Sequence, residues 1–187
     1  AAVVVHTSLT NDAMSKPALA LFEAREKAIY EALEQQRVAL AQAAVTTETS
    51  EFWSARRERD VLDGGPPNED VDIETVRRDA DVQAAFAALK QRDSITLARG
   101  AEVERSMLPT VRDNLVVLEE RITSPLMATP IRHARGVNLV TLLDLAPAAS
   151  QVPDLYDVYC KNEGAVPLGD FLGALSLLVG KRMLVFA

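Results

Sequence analysis

The side chains in this sequence that could carry chemistry are few. His6 and His133 are its two histidines and Cys160 is its single cysteine. Zinc-type sites take three or four Cys, His or carboxylate ligands, usually in local pairs two to five residues apart. Neither histidine has such a neighbour: His6 stands near a flexible end, and His133 in a loop with Arg132 and Arg135. Cys160 could act as a nucleophile only if the fold brought a base to it, with His133 as the candidate. On a short amphipathic helix beside Tyr156 and Tyr159 it reads instead as a core residue.

The glycines fare no better as a phosphate site. Gly164, Gly169, Gly173 and Gly180 lack the spacing and the Lys-Ser/Thr ending that wrap backbone N–H groups and an ammonium around a phosphate, and Gly64-Gly65 lacks them too. Capping and close packing are the better readings. The acid pairs Glu119-Glu120 and Asp79 with Asp81 fall on charged helical faces, where solvation is the default. The sequence therefore assigns no catalytic residue, no cofactor and no metal, and the expectation is a chain that is not an enzyme.

Charge narrows the partners. The 20 Lys and Arg against 27 Asp and Glu leave a net charge of −7, which repels a phosphate backbone. The one dense basic patch, Arg56, Arg57 and Arg59 beside Trp53, is followed at once by Asp60 and Asp63. Nucleic acid is thus a disfavoured partner. A lone cysteine allows no internal disulfide, and no apolar run reaches the roughly 18 residues that suggest a membrane span. The chain starts at Ala1, as after removal of an initiator Met or of a transit peptide. A cytoplasmic location is expected, or an organelle matrix if a transit peptide was lost.

The elements that must position any site are mainly helical. Ser15 followed by Lys16-Pro17 reads as a helix start, and the spacing predicts a helix over 17–44. Leu19, Phe22, Ile29, Leu33, Leu40 and Ala43 recur at alternating three- and four-residue steps, with Glu26 and Gln36 in the two vacant places. That is a coiled-coil-like seam, and it implies a partner helix. The stretch 45–70 loses this periodicity and contains Asp63-Gly64-Gly65-Pro66-Pro67-Asn68, a linker. Phe52 and Trp53 interrupt its polarity and read as an anchor on a partner or on the rest of the chain.

Asp72 is placed to cap a second helix carrying Ile73, Val76, Val82, Phe86 and Leu89, with a break near Asp79 to Asp81, and Ser94 to cap a third. Val111, Leu115, Leu118 and Ile122 repeat at i, i+4, i+7 and i+11, one face of a helix. A helical hairpin over 72–124 is expected. From Pro125 onward prolines space short elements: a dense apolar run at 137–145 that reads as strand or buried helix, helices near 154–161 and 168–179, and a closing strand at 182–186. That order is the one found in winged-helix-like modules. The candidate recognition helix at 168–179 has no Lys or Arg, and 125–187 holds five basic and five acidic residues.

The chain thus divides into an N-terminal helical arm with an anchoring loop (1–62), a Gly/Pro linker (63–71), a helical hairpin (72–124) and a small C-terminal α/β module (125–187). The function this organisation suggests is a structural or adaptor subunit of a larger protein assembly. Phe22, Ile29, Leu33, Leu40, Phe52 and Trp53 are its partner-binding residues, and the C-terminal module docks further protein. The alternatives are a winged-helix-like regulator binding peptide or nucleic acid, and an enzyme with a dispersed active site.

Overall fold

A computed structural model describes residues 1–44, 78–92 and 94–187. The expectations for Phe52, Trp53, the basic patch, the linker at 63–71 and the Asp72 cap lie outside these residues. The described chain is mostly helical, with a long N-terminal helix and three separate two-stranded sheets. It divides into two units, 1–68 with 109–118, and 69–108 with 119–187.

In the first unit, α1 (Ala2–Thr10) and α2 (Ser15–Ala44) are joined by a 3-10 turn, Asp12–Met14. His6 therefore sits on a helix and not on a loose end. The turn delivers Ser15 already helical, at φ −58° and ψ −49°. Ser15 is consequently the first residue of α2 and not its cap. Pro17 falls within the first turn, where a missing N–H costs no intrahelical bond. Val4, Ala18 and Val116 form a small core here, with Phe22 packed half-buried against it. Thr7 ties its backbone together: its hydroxyl donates to the Val3 carbonyl at 2.8 Å and accepts from the Val116 N–H at 2.9 Å.

The region expected to be a helix at 111–122 is a β-hairpin. Strands β2 (Glu104–Arg112) and β3 (Leu115–Thr123) pair with each other, joined by Asp113 and Asn114 at φ 50° and 62°. Two successive left-handed residues make a type I′ turn, whose twist matches that of the flanking strands, and Asp and Asn tolerate that conformation better than other non-glycine residues. In the strand, Val116 and Ile122 share one face and are buried, while Leu115 on the opposite face, and Leu118 between the two buried residues, stay exposed. The helical hairpin over 72–124 is accordingly replaced, within the described residues, by one helix, one short strand and this β-hairpin. Ser94 precedes a strand and caps no helix.

The second unit carries the main core. Helix α3 (Ala80–Lys90) starts at the expected break, with the Asp79 carboxylate accepting from the N–H groups of Asp81 and Val82. Strand β1 (Leu97–Arg99) pairs antiparallel with β6 (Leu184–Phe186). His133 lies on β4 (His133–Ala134), which pairs with β5 (Val137–Asn138), and not in a loop. The ambiguous run at 137–145 is both things in turn: β5, then α4 (Leu139–Leu145), capped by the Asn138 side-chain oxygen Oδ1, which accepts from the N–H groups of Val140 and Thr141. Helices α5 (Val152–Glu163) and α6 (Leu168–Gly180) follow, at 105° to each other.

Phe171, Leu175, Leu177 and Leu178 of α6 are fully buried, beside Tyr159 and Leu155 of α5. Helix α6 is thus apolar around most of its circumference and lies at the centre of this unit. No single helix among the described residues is long and apolar enough to cross a membrane. Gly164 ends α5 at φ 97°, a conformation that favours glycine. Helix α6 ends at Gly180, which is also a point of close packing. An added Cβ there would meet the Val82 backbone at 2.8 Å, so glycine lets α6 lie against α3. The left-handed residue after α6 is Arg182, at φ 57°.

Candidate interaction surfaces

The seam residues of α2 divide into two groups. Leu19, Ile29, Leu33 and Leu40 are 50%, 51%, 58% and 65% exposed. Phe22 instead faces the small core of its own unit and is half-buried. Burial on α2 falls on Ala18, Ala28 and Val38, which lie off the expected seam. The periodic apolar line was therefore legible, but its Phe22 member is spent within the chain. Scattered surface leucines need no explanation, whereas an aligned row does. From Leu19 to Leu40 the row runs along about 32 Å of helix at 1.5 Å per residue.

The residues weighed for catalysis have structural surroundings. Cys160 packs half-buried against the core of the second unit, where a thiol behaves as a small apolar group. Tyr159 is fully buried, and its hydroxyl accepts from the Asn138 N–H at 2.7 Å. Burial pushes its phenol pKa upward, so it stays protonated. Asp79 takes a hydrogen bond from the Lys181 ammonium, which holds its carboxyl below the usual range. Arg105 bridges Asp144 and Glu120 on an exposed face, and its guanidinium pKa is raised chiefly by the bond to Asp144. Among the described residues, no group of three His, Cys, Asp or Glu side chains could hold a metal ion.

A feature that sequence reasoning missed lies in the second unit. A groove of about 330 Å³ runs between α3 and the α5–α6 pair. Phe86, Leu89, Val152, Tyr156, Leu168 and Leu172 supply its apolar lining. Tyr156 presents its ring, because its hydroxyl donates to the Val166 carbonyl at 2.7 Å. Among the described residues, Lys90, Arg92 and Asp157 bring charge to the wall. The Lys90 ammonium stands 5.3 Å from the Phe86 ring centroid, and the Arg92 guanidinium carbon 4.0 Å from that of Phe186. Both cations rest on aromatic faces, and among the described residues neither has a carboxylate partner. The sequence signal was present in Phe86 and Leu168, but only tertiary packing places them on one cleft.

No protein-family model matches the chain, and neither does any curated protein or solved structure.

Proposed function

We propose that this protein is a non-catalytic structural or adaptor subunit, which pairs its long N-terminal helix with a partner helix and docks further protein through its C-terminal module. The observation that carries the reading is the exposed row Leu19, Ile29, Leu33 and Leu40 on α2. Burying such residues contributes on the order of 1.5 to 3 kcal/mol each for a full side chain. Half-exposed residues gain a fraction of that, and four together still favour pairing over solvation. Seam spacing of this kind is the geometry through which helices interlock as knobs into holes.

For the C-terminal module, the element order from α4 to β6 is compatible with a winged-helix-like arrangement, and protein docking is the use its surface favours. Helix α6 carries no basic residue, and its apolar side chains are mostly committed to the core. A phosphate-tracking face needs several Lys or Arg contacts.

The test is purification of the tagged full chain from its native source at about 0.5 M salt, where screened charge contacts weaken and apolar ones persist. A defined partner set in fixed stoichiometry supports the reading when Ile29→Asp with Leu33→Asp abolishes its retention. Retention undiminished by that pair of substitutions rejects the helix seam as the means of assembly.

A further inference from the structure

The groove between α3 and the α5–α6 pair has an apolar floor, exposed apolar lips and two cations with no carboxylate partner among the described residues. We propose that it binds a peptide segment of a partner protein whose apolar anchors are flanked by Asp or Glu. This inference rests on the adaptor reading and names the chemistry of the second docking contact.

Three observations select that ligand. The volume of about 330 Å³ lies at the lower end of the range that holds compact ligands. Its lips, however, are open: Phe86 is 37% and Leu168 52% exposed. A small molecule in the floor would leave both large side chains in water, whereas a peptide can fill the floor with one or two side chains and cover the lips with its backbone and neighbours. Grooves of this kind take apolar residues spaced three or four apart on an amphipathic segment.

Charge then fixes the flanks. Lys90 and Arg92 stand at the α3 side of the groove, and among the described residues Asp157 is the one carboxylate on its wall. The chain as a whole is acidic, at −7, yet at physiological ionic strength charges act over about 8 Å. The local pair of cations therefore governs what the groove attracts, and the distant negative charge is largely screened. Both cations are positioned already by their aromatic neighbours, so a carboxylate can meet them with little further loss of side-chain freedom. Acidic flanks beside Lys90 and Arg92 satisfy the wall, and a basic flank there is repelled.

The test is selection of a library of random 16-residue peptides against the immobilised full chain, with parallel selections against two variants. Leu168→Asp puts a charge on the apolar lip. Lys90→Glu with Arg92→Glu reverses the cations, which are exposed, so folding is retained and is checked by circular dichroism. The expected result is enrichment of peptides with Leu, Ile, Phe or Trp three or four apart and an excess of Asp and Glu. Recovery should fall tenfold or more against Leu168→Asp, and the acidic excess should vanish or invert against the charge-reversed chain. No enrichment, a basic or neutral consensus, or the same peptides recovered on all three chains would overturn the assignment. Each of these leaves association through α2 untouched, because that is read by the Ile29 and Leu33 substitutions in a different unit.

Discussion

The hydroxyl of Tyr159 meets the backbone N–H of Asn138 at 2.7 Å in a fully buried position, and so ties α5 to the start of α4. Asn138 caps α4 through its side-chain Oδ1, and its side-chain Nδ2 donates to Glu163 at 3.2 Å. Thr141 reaches the same carboxylate at 2.5 Å. One residue thus joins a strand end, a helix start and a second helix. Replacing Tyr159 with Phe keeps the ring packing on Phe171 but strands the Asn138 N–H, at a cost of about 1 to 3 kcal/mol. Urea unfolding of the variant reads this loss directly. A change under about 0.5 kcal/mol would show that the bond is replaced, for example by water.

The turn at Asp113-Asn114 decides between strand and helix for 104–123. At φ 62° a β-branched side chain is strained, so Asn114→Val should destabilise by about 1 to 2 kcal/mol, while Asn114→Gly should be near neutral. Hydrogen exchange should localise the loss to Leu115–Thr123. In a helix, Val in place of Asn changes little, so an indifferent Asn114→Val would return this segment to the helical reading.

That segment shows where the sequence could and could not be read. Val111, Leu115, Leu118 and Ile122 fit a helical face by spacing alone, and only the adjacent Asp-Asn pair, with Pro109 and a valine-rich run, pointed to a hairpin. Short apolar runs satisfy both periods, and turn chemistry then decides. The long helix was legible because its pattern persists for many residues. Its start was misplaced by two because a 3-10 turn does the work expected of a cap. The closing strand and the helix ended by Gly164 were legible from local signals. What pairs with that strand was not, since β1 lies more than eighty residues away. Spacing also picked out the α2 row, four of whose residues are exposed, and it included Phe22 because a one-dimensional pattern cannot tell an internal neighbour from an external one.

Acid should weaken the second unit in a defined way. The Asp79 carboxyl is held below its ordinary 3.8, first by the hydrogen bond from Lys181 and then by its capping bonds. A carboxyl with a depressed folded pKa contributes stability that is fully present above its unfolded value, about 3.9, and that is lost as pH falls through the lower folded value. The stability gap between the parent chain and Asp79→Asn should therefore be constant from pH 7 to 5 and shrink below pH 4. Urea midpoints at pH 7, 5 and 3 measure it. A gap that does not narrow at pH 3 would remove Asp79 from the acid response.

The exposed row on α2 is proposed to pair with another helix. Without its partner the full chain should use that row on itself. Sedimentation velocity over a hundredfold range of concentration, on the parent and on Ile29→Asp with Leu33→Asp, tests this most directly. Both positions are more than half exposed, so the variant should keep its fold and its helical content. The parent's sedimentation coefficient should rise with concentration, and the variant should stay monomeric throughout. A parent that remains a single monomeric species at the highest concentration, indistinguishable from the variant, would contradict that pairing.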